Sequence, residues 1–73
     1  MNQEVKLDVL PETVQAKGTI LHGLLNGTFQ GKQIGFMVDT AIMDIIIPES
    51  LEPIYPYIED AVVRYLKAIG KME

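Results

Sequence analysis

The fold is decided by residues 33–40, which read Gln-Ile-Gly-Phe-Met-Val-Asp-Thr. Every second residue in the first part of this stretch is a large apolar one: Ile34, Phe36 and Val38. Successive side chains of a β-strand point to opposite faces, so this period of two puts the three side chains on one buried face. The pattern predicts a half-buried strand at about residues 28–38. Asp39-Thr40 is the predicted turn after it, because Asp readily hydrogen-bonds to nearby backbone.

The chain before this strand also alternates between apolar and polar residues. The alternation predicts a strand at about residues 4–10, ended by Pro11, and another at about residues 13–25. Residues 20–27 leave two interpretations open, because they could also be the end of a helix that stops at Gly27. The glycines and β-branched residues within this run favour the strand.

Two dipeptides compete for the hairpin turn that leads into residues 28–38. Asn26-Gly27 suits a type I′ turn, whereas Gly31-Lys32 has Gly where a type II′ turn needs it. The prediction is that one of them is the turn and the other a β-bulge.

The second half of the chain adds a strand and a helix. Residues 41–47 are apolar except for Asp44 and predict a strand covered on both faces, which Pro48 ends. Residues 56–69 predict a helix, since apolar residues recur at helical spacing and acidic residues precede basic ones. The predicted fold class is α+β. One domain, residues 1–73, is a small antiparallel β-meander of three to four strands with one C-terminal amphipathic helix packed on the sheet.

Length and composition restrict the functions open to this chain. A chain of 73 residues buries too little surface for a secure core, and the absence of cysteine removes disulfides and thiolate metal sites. A partner subunit would supply the missing burial, and 48% hydrophobic residues is a high share for so short a chain. We therefore expect a homodimer, with no metal and no cofactor.

Charge and hydropathy argue against two kinds of partner. Ten acidic residues stand against six basic ones, whereas nucleic-acid binding relies on Lys and Arg to neutralise phosphates. No apolar run approaches the ~20 residues that a helix needs to cross a bilayer, and residues 1–6 lack the features of a signal peptide. We expect a cytoplasmic protein with neither a membrane nor a nucleic acid as its partner.

One stretch carries a resemblance to an enzyme family. Residues 36–41, Phe-Met-Val-Asp-Thr-Ala, and the apolar run into proline at 45–51 resemble the half-site of retroviral-type aspartic proteases. Residues 26–34 look like the hairpin that precedes that half-site. The resemblance implies that Asp39 is a catalytic acid/base sharing a proton with Asp39 of a second subunit. Ala41 stands where the family has glycine, and the residues by themselves predict an ordinary turn.

The single histidine, His22, is the other candidate functional polar residue beside Asp39. No acid or nucleophile adjoins it in the sequence, which favours a core or interface residue over a catalytic base. In an interface, His22 would make assembly sensitive to pH, because imidazole changes its charge in the physiological range.

The sequence shows no catalytic constellation. We therefore expect a small non-enzymatic protein–protein interaction or regulatory module, of the inhibitor, adaptor or accessory type, acting as a homodimer on an unidentified protein partner. Large apolar residues in the strand predicted at residues 41–47 and on the helix form the candidate interface: Met43, Ile45, Ile47, Tyr57, Val63 and Tyr65. Two alternatives stay open: a degenerate aspartic-protease-like protein using Asp39, and a small-ligand-binding protein with a pocket between helix and sheet near His22.

Overall fold

The computed structural model describes residues 6–71, and its strands form one antiparallel meander followed by a helix. The sheet order is the sequence order: β1 (Gln15–Lys17), β2 (Ile20–Phe29), β3 (Lys32–Asp39) and β4 (Asp44–Ile46). Short 3-10 helices lie at Pro11–Thr13 and Glu49–Ile54, and the helix α1 covers Tyr55–Ala68. The predicted α+β class, a small meander with a C-terminal helix, is confirmed.

The β2–β3 hairpin is closed by Gln30 and Gly31, which separate the paired residues Phe29 and Lys32. Gln30 has a φ of 55° and Gly31 a φ of 79°. Positive φ at both central residues is what a type I′ turn requires, and this turn matches the right-handed twist of the two strands. The turn therefore lies one residue before the predicted Gly31-Lys32 turn.

The other predicted turn, Asn26-Gly27, falls within a continuous strand. The pairing register of β2 with β3 shifts between Leu24 and Thr28, which places a bulge-like irregularity around these two residues. Residues 20–27 are therefore strand rather than the end of a helix. Since residues 28 and 29 belong to β2, the strand expected at residues 28–38 begins only at Lys32.

The prediction of a strand at residues 4–10 is wrong for the residues that the structure describes. They make only one β-bridge, between Val9 and Leu25. Residues 4 and 5 lie outside the described residues. Hydrogen bonds still hold the segment along β2: Asn26 N donates to Asp8 O, and Leu10 N donates to Leu24 O. Pro11 then turns the chain into a 3-10 helix, because it has no N–H to continue a strand.

The run predicted as one strand at residues 13–25 is divided between two strands. Lys17 and Ile20 pair with each other across a two-residue turn, Gly18-Thr19. Gly18 has a φ of 64°, which residues with a Cβ rarely adopt. Residues 15–17 thus fold back on β2 instead of continuing into it.

The strand predicted at residues 41–47 is shorter and less covered than expected. β4 spans only three residues at the sheet edge, and Asp44 and Ile46 on it are exposed. A strand covered on both faces is therefore wrong here. The helix begins and ends one residue before the predicted bounds of 56–69, and Tyr55 continues directly from the preceding 3-10 helix.

The core lies between one face of the sheet and α1. Helical spacing puts four α1 residues on the side that contacts the sheet: Ile58, Ala61, Val62 and Leu66. The strands and the N-terminal segment contribute the remaining buried side chains: Leu7, Val9, Leu21, Leu25, Ile34, Phe36 and Val38. The apolar residues whose alternation predicted β3, namely Ile34, Phe36 and Val38, are therefore the buried residues of this strand.

Candidate functional site

The face of the sheet opposite α1 is the main surface of interest. Because strand residues alternate, the residues between the core positions of β2 and β3 point away from the helix. We call this surface the open face, and the pairing register defines its members: Gln15, Lys17, Ile20, His22, Leu24, Gly35, Met37, Asp39, Asp44 and Ile46. The buried residues of α1 pack against the opposite face.

Three large apolar side chains of the open face are exposed. Leu24 is 36% exposed, Met37 41% and Ile46 45%. Met37 pairs with Ile46 on β4 and with His22 on β2, so these three residues form one row across the sheet. Contiguous exposed apolar surface on a small protein typically marks an interaction site.

A second row on the open face carries charge. Pairing places Lys17, Ile20, Asp39 and Asp44 side by side, from β1 to β4. Like charges that face each other directly on neighbouring strands destabilise a sheet, and Asp39 and Asp44 are such a pair. Lys17 lies at the opposite edge of the sheet from Asp44. The row therefore has a cationic end and an anionic end.

A cleft of about 610 Å³ lies beside the uncovered part of β3. β4 pairs with β3 only over Met37–Asp39, so the edge of β3 before Met37 borders the cleft instead of a strand. No carboxylate lines the cleft, although the chain is acidic overall. Its side-chain lining is His22, Phe29, Gln30, Lys32, Gln33, Phe36, Met37, Ile46, Ile47, Pro48, Ser50 and Leu51.

This cleft differs in position from the ligand pocket predicted between helix and sheet. His22 lines the cleft, as a pocket near this residue requires, but no residue of α1 does. The space between helix and sheet is filled instead by the packed core. A small ligand near His22 would therefore bind beside the β3 edge and not under the helix.

Asp39 has the contacts of a turn residue. Its Oδ1 accepts hydrogen bonds from Ala41 N and from Thr19 Oγ1, each at 3.0 Å. Thr40 donates to Thr19 O through its backbone N at 2.8 Å and through its Oγ1 at 2.7 Å. These contacts join the β1–β2 turn to the β3–β4 turn, so the Asp-Thr pair has a structural explanation that needs no second subunit.

The six predicted interface residues lie in two different environments. Met43, in the β3–β4 turn, and Tyr57, on α1, are exposed. Ile45, Ile47 and Tyr65 are half-buried and pack against the core. Val63 is half-buried as well.

The open-face residues Leu24, Met37 and Ile46 were not among those predicted. Their positions in the sequence could have identified them. Each is the direct neighbour of a residue that packs in or against the core, and neighbouring strand residues point to opposite faces. Ile42, in the β3–β4 turn, is 70% exposed and lies off the open face.

The perturbed titratable groups lie on the helix side of the molecule. Hydrogen bonding from Arg64 lowers the pKa of Asp8 below its ordinary value, and bonds to Asp8 and Asp60 raise the pKa of Arg64. Partial burial raises the pKa of Tyr55, and the neighbouring Glu59 carboxylate adds to this. The Arg64–Asp8 contact joins α1 to the N-terminal segment, whereas the Tyr55–Glu59 and Arg64–Asp60 contacts lie within α1. Within residues 6–71, no three His, Asp or Glu residues are grouped so as to hold a metal ion.

No family model, curated protein or solved structure matches this chain. In the part of the chain that the structure describes, no helix combines the length and the apolar character needed to span a membrane.

Proposed function

We propose that this chain is a cytoplasmic, non-enzymatic protein-interaction module of the regulatory kind, and that it works as a homodimer through its open face. The observation that carries this proposal is the row of exposed apolar side chains that α1 leaves uncovered. Core and interface both need apolar burial, and this chain has only one face of its sheet covered by its own helix.

The physical reason for association is the small size of the core. A single core in a chain of this length contributes only a few kcal/mol of net stability, on the order of 3–5 kcal/mol. Burying Leu24, Met37 and Ile46 between two copies would remove further apolar surface from water, at roughly 25 cal/mol per Å². The solvated face of an antiparallel sheet ordinarily carries polar residues, whereas this open face exposes Leu24, Met37 and Ile46.

The experiment is a measurement of mass in solution by light scattering across a dilution series. We expect a dimer that dissociates on dilution. Met37→Asp places a charge at the centre of the open face and should give a monomer that keeps its circular dichroism spectrum. Ile46→Asp, at the sheet edge, is a second variant in case the first perturbs β3.

Ile42→Asp is the matched control. It makes the same kind of change at a more exposed apolar residue, but in the β3–β4 turn and outside the open face. This variant should dimerise like the wild type. A wild-type chain that is monomeric at every concentration, or an Ile42→Asp chain that dissociates as readily as Met37→Asp, contradicts the proposal.

The cleft beside β3 supports a second candidate function, the binding of a small molecule. Cavities of this size and apolar lining are typical of ligand sites. A ligand that binds the folded state raises the thermal midpoint. The test is a thermal-shift screen of metabolites, repeated with Phe36→Tyr and Leu51→Ala; a shift that neither substitution changes would place the ligand elsewhere.

A further inference from the structure

The charged row of the open face is incomplete within one chain. Lys17 on β1 and Asp44 on β4 lie at the same level but three strand spacings apart, about 14 Å at ~4.8 Å per strand. A lysine cannot bridge that distance along the sheet surface. Asp39 and Asp44 meanwhile face each other without a cation from their own row beside them.

We infer that the partner on the open face is a second copy of this chain, stacked face to face about a two-fold axis that runs along the strands between β2 and β3. The inference rests on the proposed homodimer and specifies its geometry. This rotation places β1 of each copy over β4 of the other, at an unchanged level along the strands. Lys17 of one copy then lies over the partner's Asp44, and the symmetry makes this contact twice.

The same rotation fits the uncharged rows. β2 comes to lie over β3, so that His22 lies over the partner's Met37 and Leu24 over the partner's Gly35. Gly35 has no side chain, and the nearest side-chain atom to its open side is Leu24 Cδ2 of its own chain, 3.6 Å from where a Cβ would be. Each Leu24 thus packs over the Gly35 of its own chain, and the Leu24 side chains of the two copies lie next to each other across the axis.

The other way of stacking two open faces leaves the charges unmatched. A two-fold axis perpendicular to the strands would place β1 over the partner's β1 and β4 over the partner's β4. It would also reverse the order of the residue rows along the strands. The row with Lys17 and Asp44 would then face the opposite end of the sheet, around Thr28 and Gln33. Lys32 adjoins Gln33 at that end, but it lies two residues from the core residue Ile34 and therefore falls on the helix side of the sheet. Of the two arrangements, the axis along the strands is the one that brings an open-face cation to Asp39 and Asp44.

Zero-length crosslinking of the wild-type dimer tests this geometry directly. A carbodiimide joins a lysine amine to a carboxylate only when the two groups touch, so Lys17 and Asp44 can be joined between copies but not within one. Mixing isotope-labelled and unlabelled chains identifies crosslinks between copies by mass spectrometry. We expect a mixed-label Lys17–Asp44 or Lys17–Asp39 product; a dimer whose crosslinks omit both pairs overturns the inferred axis.

Charge exchange gives a second, energetic test. Lys17→Glu and Asp44→Lys each replace two attractive contacts per dimer by two repulsive ones, and should raise the dissociation constant by about tenfold at low salt. The double variant Lys17→Glu/Asp44→Lys restores opposite charges and should return to within about threefold of the wild type. Lys67→Glu and Glu59→Lys, on the exposed side of α1, are controls with the same changes of net charge.

The outcomes separate this inference from the proposed function. If Met37→Asp dissociates the dimer but the charge variants leave its dissociation constant unchanged, the proposed function stands and the inferred orientation is overturned. A monomeric wild-type chain overturns both. If the single charge variants fail to fold, the salt dependence of the wild-type dimer decides, since exposed ion pairs weaken as salt rises; a dissociation constant unaffected by salt contradicts the paired geometry.

Discussion

Arg64 on α1 and Asp8 on the N-terminal segment form an ion pair between residues 56 apart in the chain. The same guanidinium donates through Nε to Asp60 Oδ2 at 2.9 Å and through Nη2 to the backbone carbonyl of Leu7. Its planar fork can make several directed hydrogen bonds at once, which a lysine ammonium cannot. Arg64 therefore fixes the N-terminal segment to the helix at the same place where Leu7 and Val9 enter the core.

Substitutions at this ion pair should affect stability in a defined order. Arg64→Ala removes the contacts to Asp8, Asp60 and Leu7 together, so it should lower the urea midpoint of unfolding more than Asp8→Asn does. The pKa of Asp8 is lowered in the folded chain, so the contribution of this carboxylate is complete above its unfolded pKa of ~3.9 and is lost as the pH falls through the folded value. The difference between the wild type and Asp8→Asn should thus be constant near neutral pH and disappear in strong acid.

The control for this titration is Glu12→Gln. It makes the same chemical change at an exposed carboxylate that forms no ion pair within the described residues. Its difference from the wild type should show no comparable loss in acid. An Asp8→Asn difference that persists unchanged at the lowest pH would contradict a lowered pKa.

The turn at Gln30-Gly31 predicts opposite effects at its two residues. Gln30 has a positive φ that costs an L-residue roughly 1–2 kcal/mol, and Asn tolerates this conformation better. Gln30→Asn should therefore stabilise the fold by about 0.5 kcal/mol. Gly31→Ala should destabilise it by about 1–2 kcal/mol, because Ala brings a Cβ into the same left-handed region.

Chemical denaturation of the two variants measures these values. Gly31→Asn is the companion variant, and it should cost less than Gly31→Ala because the space around Gly31 is open and only the backbone conformation matters. Equal losses for Asn and Ala at this position would argue against a type I′ turn.

Asp39 distinguishes a structural turn residue from a catalytic acid. Asp39→Ala removes the acceptor of Ala41 N and Thr19 Oγ1, and should cost about 1–2 kcal/mol of stability. Asp39→Asn keeps an oxygen acceptor and should cost less. Unfolding curves of both variants give the comparison.

The same two variants test the resemblance to aspartic proteases. The non-enzymatic proposal expects no cleavage of unfolded protein substrates by the wild type in mildly acidic buffer. Cleavage by the wild type that Asp39→Asn abolishes, with the fold intact, would instead establish Asp39 as an acid/base and remove the proposal.

Periodicity predicted the parts of the fold that depend on burial. The alternation at Ile34, Phe36 and Val38 and the helical spacing of Ile58, Val62 and Leu66 both come from contact with the core, so each pattern is visible in the sequence. The class and the helix follow from these patterns alone.

Positions where the backbone changes direction were less predictable. Gly18 begins a turn, but the residue before it, Lys17, is not one that typically marks a turn. Gln30 adopts a positive φ that residues with a Cβ do not favour. In both cases pairing of the flanking strands decides the conformation, and pairing is not a local property. The segment predicted as a strand at residues 4–10 makes a single β-bridge in its described part, and beyond it the Thr13 side chain accepts a hydrogen bond from Leu24 N at 2.9 Å.

The candidate interface could be predicted only in part, because exposure is decided by how a strand is oriented. Ile45 and Ile46 are adjacent and chemically equal, yet Ile45 packs against the core and Ile46 faces solvent. A run of three isoleucines has no alternation of its own that would separate them. The register with Met37 and Val38 of β3 assigns each residue to its face.

The ion pair between Arg64 and Asp8 also has a kinetic consequence. The meander joins neighbouring segments through loops of two to four residues, so its pairs close at little entropic cost, whereas the Arg64 contact closes one of the longest loops in the chain. Non-local contacts of this kind slow folding and form late. The hairpin around Gln30-Gly31 should therefore nucleate the native state, and docking of α1 onto the N-terminal segment should complete it.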